Sequence, residues 1–287
     1  MTPTLVRRHL PHAAPAPRTD LCARARDWAE IQERMLVPLY EAVYERLEVG
    51  PGTRLLGLDC GSGLALLMAA SRGAAVTGVE PSDPELLALA EERLLSDASR
   101  PRETADVRLT RSDTADLTAT DPGGTPYSVI TDFRPIGCVA GDSEGLSARL
   151  ESVAPLAGRG AAVVLVGWGP PERCATSSVL RVATKLADPL RSTGSWRPAH
   201  RDDLEEVAQR AGLRPDGSGR VACPFGYADA ESAVRGLLST GLFDAAVGAT
   251  DPAQVDKEVS EALQAHVRGD GTVWMPNVFR YLIARTP

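Results

Sequence analysis

The feature that most constrains this chain is a short apolar run, RLLGLD at 54–59, that halts in a glycine turn, CGSG, and passes directly into the helical pattern LALLMAASRG. Such a step lays bare main chain at the carboxyl end of a strand, where a ligand can approach closely. Gly61 and Gly63 supply the conformational freedom, and the helix start supplies unpaired N–H groups. A second strand-like run, AAVTGVE at 74–80, ends in Glu80. A carboxylate at that distance past the turn can accept both hydroxyls of an adenosine ribose, so the turn and the acid together describe a nucleoside site. The plainer reading of the same residues is a tight turn with a surface glutamate. A dinucleotide fingerprint asks for a third glycine after two further residues; Leu66 stands there, which weakens that alternative.

The alternation continues along the chain. Ser82, with Asp83, Pro84 and Glu85 behind it, forms the cap, first-turn proline and acidic start of a helix. DVRLTRSD (106–113), YSVITDF (127–133) and AAVVLVGWG (161–169) read as strands, the last apolar enough for burial on both faces. Strand and helix in alternation predict an α/β fold with a parallel sheet and right-handed crossovers. Ahead of the sheet, 27–47 carries apolar residues at helical spacing, interrupted by Pro38. Beyond it, 201–215 predicts an amphipathic helix stopped by Gly212, RVACPF a further strand, 229–241 and 252–267 two helices, and TVWMPNVFRYLIAR one long final strand. The domain expectation is a flexible arm over 1–20 and one domain over 21–287, with a helical cap at about 21–50 and lid helices at about 229–267.

With 287 residues, 43% apolar and 24% charged, the chain can bury a sizeable core without covalent staples. Its net charge of −7 argues against wrapping a nucleic acid, whose affinity comes from phosphates neutralised by Lys and Arg, and points to a small-molecule partner. No apolar run approaches the ~20 residues a bilayer-spanning helix needs. Arg7 and Arg8 are followed by no apolar stretch of signal-peptide length, so the expected location is the cytoplasm. Five scattered cysteines without a CxxC pair argue against a disulfide framework or a zinc site, and no metal is expected.

Residues 54–117 resemble the first half of class I S-adenosylmethionine (SAM)-dependent methyltransferases, particularly small-molecule enzymes of actinobacterial natural-product biosynthesis; RLLGLDCGSGLALLMAASRGAAVTGVEPSDPELLALAEERL carries the likeness. It extends to DWAEIQERMLVPLYEAV in front, VGWGPPERC after the fifth strand and GTVWMPNVFRYLIAR at the end. The resemblance implies a Rossmann-like fold: a mostly parallel seven-stranded sheet with an antiparallel last strand and helices on both faces. It also implies SAM or S-adenosylhomocysteine (SAH) as cofactor. Glu80 would hold the ribose, Asp113 with Thr114 beside it would meet the adenine, and the turn from Asp59 through Cys60 and Gly61 to Gly63 would carry the methionine portion. Trp28 and Gln32 would close over cofactor or substrate, and Pro81 and Asp132 complete the cofactor-binding set. The family's turn has the pattern DxGxGxG, with an acid two residues before the first glycine. Here those positions are Gly57 and Asp59, so acid and glycine have changed places. Arg134 stands where relatives often carry a small polar residue, and SVAPLAGRGAAV lacks the usual basic-Pro-Gly-Gly turn.

Histidine is the first place to look for a base at neutral pH. His9 and His12 fall in the arm. His200, ahead of the amphipathic helix, and His266, near a helix end whose dipole suits a positive ring, are the catalytic candidates, each against a solvated or structural role. Arg134, at the carboxyl end of a central strand, could bind an acidic group or an electron-rich carbonyl; a salt bridge to a neighbouring acid is the alternative. Trp28, Trp168, Trp196 and Trp274 could wall a flat or polyketide-like substrate, or serve as ordinary core. Methyl transfer asks chiefly for positioning, so a missing base is no objection. The expected function is SAM-dependent methyl transfer to a small secondary metabolite. The alternative is an enzyme of the same fold catalysing a non-methylating cyclisation or rearrangement, with SAM absent or structural. A cofactor-sensing scaffold ranks last, because a lid is of most use where chemistry must be shielded from water. The partners expected are a small-molecule substrate and, for assembly, a homodimer.

Overall fold

The computed structural model describes residues 20–95, 106–111, 124–138, 141–187, 200 and 202–287. Five strands, β1 Arg54–Leu58, β2 Ala75–Val79, β3 Val107–Thr110, β4 Tyr127–Ile136 and β5 Ala157–Trp168, run parallel in the order β3-β2-β1-β4-β5. After them come β6 Arg214–Ala222, β7 Phe225–Tyr227, β8 Val273–Met275 and β9 Val278–Arg285. β9 lies between β5 and β6, antiparallel to both, and completes the seven-stranded sheet; β7 and β8 form a separate antiparallel pair. The mostly parallel sheet with an antiparallel last strand is therefore present.

Both faces of the sheet are covered. Along β5, Ala162, Val164 and Val166 enter one core while Val163 and Leu165 enter the other, the two-residue alternation a doubly covered strand requires. The first core receives α2 Val37–Arg46 through Leu39, Val43 and Tyr44, and α3 Leu64–Ser71 through Leu66 and Ala69. The second receives α5 Asp142–Val153 through Leu146 and Leu150, and α7 Asp203–Arg210 through Leu204 and Val207. Each such buried aliphatic side chain contributes about 1.5–3 kcal/mol. The helix stopped at Gly212 is α7, and Gly212 has a φ of 72°.

The structure departs from the sequence expectations at five points. The stretch 27–47 is α1 Leu21–Asp27, a π turn Trp28–Gln32, a 3₁₀ turn Glu33–Leu36 and then α2, with Pro38 in the first turn of α2, where its missing N–H is no loss. The cap of α4 Pro84–Leu95 is Asp83, not Ser82: its Oδ1 accepts from the N–H groups of Glu85 (2.9 Å) and Leu86 (3.2 Å). The long final strand breaks at Pro276, and the strand expected through RVACPF breaks at Pro224, because proline cannot donate to a ladder. Between α8 Ala230–Ser239 and α10 Pro252–Leu263 lies an unforeseen short helix, α9 Asp244–Ala249.

α9 and α10 pack on α6 Thr176–Ala187, and α8 packs on α1 and the π turn, so the lid expected at 229–267 and the helical cap meet. Of the expected arm only Asp20 is described; its side chain accepts from the Ala23 N–H (3.1 Å) and caps α1. No described helix is long and apolar enough to cross a membrane.

Candidate functional site

Where β1 ends, the chain turns over the carboxyl edge of the sheet. Asp59 takes a left-handed φ of 44°, which aspartate tolerates better than most side chains, and Gly61 one of 57°. The turn is pinned by the Cys60 N–H on the Val79 carbonyl (3.0 Å) and the Gly61 N–H on Glu80 Oε2 (3.0 Å). Glu80 Oε1 accepts from the Ser82 (3.2 Å) and Asp83 (3.3 Å) N–H groups. Burial pushes this carboxyl above the usual range, and the Gly61 N–H opposes the shift. One side chain thus fixes the turn and the segment after β2 while still bordering a cavity of about 850 Å³.

The two turn glycines have different jobs. A Cβ on Gly61 would stand 3.1 Å from Trp28 Nε1, whereas one on Gly63 would stand 3.0 Å from Ala90 Cβ and 3.1 Å from Leu94 Cδ1. Gly61 is open to the cavity; Gly63 lets α4 close against the turn and does not line it. Trp28 lies over Gly61, and its buried indole N–H has no hydrogen-bond partner among the described residues. Gln32, also on the wall, accepts from the Tyr227 hydroxyl (2.8 Å) and ties the π turn to β7.

The exchanged acid has partners of its own. Asp59 Oδ2 meets Arg134 Nη1 at 3.2 Å and Arg149 Nη2 at 3.7 Å. Arg149 also donates through Nε (3.2 Å) and Nη2 (2.9 Å) to Asp132 Oδ2, while the Arg134 backbone N–H donates to Asp132 Oδ1 (3.0 Å). Asp132 is 1% exposed and does not line the cavity; burial pushes its carboxyl up and Arg149 opposes this. Position 57, where the family's acid would stand, is crowded by the following helix: a Cβ there would lie 2.8 Å from Leu66 Cδ2.

A second buried cluster lies behind the turn, and the sequence reading missed it. Glu33 Oε2 accepts from the Ser62 hydroxyl and from Arg93 Nη1 (2.9 Å), and Arg93 Nη1 also donates to the Ser62 carbonyl (2.8 Å). Burial pushes the Glu33 carboxyl up, against the pull of Ser62 and Arg93. The cluster clamps the cap segment and α4 onto the turn. Its only sequence signal is an acid at a core-facing helical position, which says nothing of the arginine 60 residues away.

Part of the cavity wall is aromatic. Tyr40 and Phe133 have ring centroids 4.7 Å apart, and Trp168 stands 4.6 Å from Phe279 and 6.1 Å from Phe225. Of the sequence candidates, the structure brings Trp28, Gln32, Asp59, Cys60, Gly61, Glu80 and Arg134 to the cavity wall and leaves Gly63, Pro81 and Asp132 outside it. Neither histidine candidate reaches it. His200 borders a small crevice with Asp203 and Arg280, and its backbone N–H donates to Asp203 Oδ2 (2.7 Å). His266 Nε2 lies 3.5 Å from the exposed Ser178 hydroxyl. Trp274 is 38% exposed beneath Arg268 (4.6 Å) and takes no part in the wall. Asp113, Thr114, Trp196, His9 and His12 lie outside the described residues. The wall thiols of Cys60 and Cys138 are both pushed up by burial, Cys138 to about 12, so neither is a thiolate at neutral pH.

Strand order, the antiparallel β9 and a cavity over the carboxyl ends of β1, β2 and β4 make this the Rossmann-like fold of class I SAM-dependent methyltransferases. Among solved structures it is similar to the magnesium protoporphyrin IX methyltransferase of Synechocystis, solved with bound SAH (TM-score 0.53, 14% identity, 94% of this chain and 95% of that one). It is also similar to the YcgJ protein of Bacillus subtilis (0.52, 14%, 86% and 97%) and to YjhP of E. coli (0.50, 20%, 92% and 99%). No protein-family model and no curated protein matches the chain.

Proposed function

We propose that the chain binds SAM along the turn from Asp59 to Gly61 and at Glu80, and transfers its methyl group to a small secondary metabolite at the aromatic wall of the same cavity. The observation that carries this reading is the partnerless indole N–H of Trp28, held over the open backbone of Gly61 beside the Glu80 carboxylate. A buried donor without an acceptor is costly, and a ligand carboxylate would satisfy it. Glu80 keeps lone pairs beyond those taken by three backbone N–H groups and would accept from the ribose hydroxyls. Asp113 and Thr114 are the proposed adenine contacts. The neighbour from Synechocystis, alike in fold, holds SAH.

Bound SAM would supply an electrophilic methyl group on sulfur. The protein's part is then to hold the acceptor in line and keep water out, the roles assigned to the aromatic wall and to the helices α8–α10. Arg134 is assigned to holding Asp59 in place, with its exposed edge toward the cavity mouth.

Incubation with methyl-labelled SAM and a panel of small aromatic and polyketide acceptors tests the reading; transfer of label is expected, and its absence across the panel despite cofactor binding overturns methyl transfer. The exchanged Gly57 and Asp59, with the acid locked to two arginines, favour a second reading: a non-methylating cyclisation or rearrangement in the same cavity. That reading expects an acceptor to be converted with the methyl group of SAM left in place.

A further inference from the structure

The aromatic part of the cavity wall carries information about its ligand that the cofactor reading does not use. Tyr40, Phe133, Trp168, Phe225 and Phe279 present ring faces and edges to one space, an arrangement suited to a planar apolar body. The arginines bordering the cavity are already paired within the protein. Arg24 pairs with Asp244 (3.0 Å), Asp59 with Arg134 and Arg149, and Glu33 with Arg93. Glu80, Asp83 and Asp142 accept from backbone N–H groups. Among the aromatic rings an anionic group would find no free cation, and the rings offer a charge of either sign little in exchange for its lost hydration.

Tyr40 differs from its neighbours. It is 3% exposed, lies on the cavity wall, and its hydroxyl makes no hydrogen bond among the described residues, whereas the hydroxyls of Tyr44 and Tyr227 are bonded, to the Ala65 carbonyl (2.9 Å) and Gln32 (2.8 Å). The hydroxyl of a tyrosine that lines the cavity beside the Phe133 ring, with no acceptor of its own among the described residues, is a group open to a ligand. We propose that this chamber takes a flat, uncharged aromatic molecule and that the Tyr40 hydroxyl donates a hydrogen bond to an oxygen on it, fixing which edge of the molecule faces the turn. Burial, with Glu33 nearby, holds the Tyr40 phenol well above its ordinary range, so the hydroxyl acts as a donor that positions and not as a base. That the molecule is a methyl acceptor rests on the function proposed above; its chemistry rests on the chamber alone.

Equilibrium dialysis of the full chain against 2-naphthol, naphthalene and 2-naphthoate tests this, with SAH affinity measured separately on the same samples. The wild type is expected to hold 2-naphthol about tenfold more tightly than either of the others. Tyr40→Phe, which removes an oxygen that no described residue bonds and so keeps the fold, is expected to bring 2-naphthol down to the level of naphthalene. Its affinity for naphthalene and SAH should stay within about twofold of wild type, since neither uses the hydroxyl. A preference for 2-naphthoate, an undiminished preference for 2-naphthol in Tyr40→Phe, or no binding of any of the three would overturn the proposal. Failure of SAH to bind while the 2-naphthol preference persists would remove the cofactor reading and leave this one standing.

Discussion

Gly57 and Leu66 explain each other. Leu66 lies across β1 and β2 at Gly57 and Gly78, so a side chain at the strand position that would carry the family's acid has to displace Leu66. Putting the acid back is therefore expected to harm the protein: Gly57→Asp should cost about 2 kcal/mol in urea unfolding, from overpacking against Leu66. Leu66→Ala in the same chain should return part of that loss, a coupling that a double-mutant cycle reads directly. The exchange of acid and glycine was plain in the sequence, but its cause was not, because the side chain filling the space comes from the following helix. The same holds for Glu33. Its folded pKa is raised, so the fold favours the protonated acid, and the stability tied to that form is present at low pH and lost as pH rises through the folded value. Arg93→Met removes the charge that offsets burial and raises that pKa further. The variant's deficit against wild type, about 3–5 kcal/mol near neutrality, should shrink as the pH falls toward 5; a deficit that does not change with pH contradicts a carboxylate role for Glu33.

Elements show how far sequence reading reaches. The β1 turn and the acid closing β2 were readable because each is local and their spacing fixes their relation. Pro224 and Pro276 were equally visible, yet the pairing of β7 with β8 was not, because it depends on two breaks some fifty residues apart falling side by side. Asn277 organises the second break: its Oδ1 accepts from the Thr176 N–H (3.2 Å), its Nδ2 donates to the Met275 carbonyl (3.1 Å), and its carbonyl accepts from the Cys223 N–H (3.0 Å). Asn277→Ala leaves a buried donor and acceptor without that side chain and is expected to cost about 2 kcal/mol by thermal unfolding. Phe225 and Phe279 flank the two breaks, so the variant should also loosen the aromatic chamber. The cap is joined to the lid differently, by the ion pairs Arg24–Asp244 and Asp27–Arg235 on exposed surface. Arg24→Ala is expected to change stability by less than about 0.5 kcal/mol; a larger loss would mean that the cap depends on this pair.

At the scale of the whole molecule, the parallel order β3-β2-β1-β4-β5 sends the turns after β1, β2 and β4 to one edge, and residues from 21–40 and 239–245 border the cavity over that edge. The alternation of apolar runs and amphipathic stretches made the parallel part of this layout legible in the sequence, while the antiparallel β9 was implied only by the resemblance to class I methyltransferases. What stayed hidden were the contacts between distant segments: Asp59 with Arg134, 75 residues apart, and Glu33 with Arg93. These decide how the turn is built, and so whether it can hold a nucleoside at all. Calorimetric titration of the full chain with SAH tests this most directly. Saturable one-to-one binding is expected in the wild type, with at least a tenfold loss in Glu80→Gln, whose amide accepts ribose hydroxyls less well. Absence of binding in the wild type, or equal affinity in the two proteins, would contradict the account.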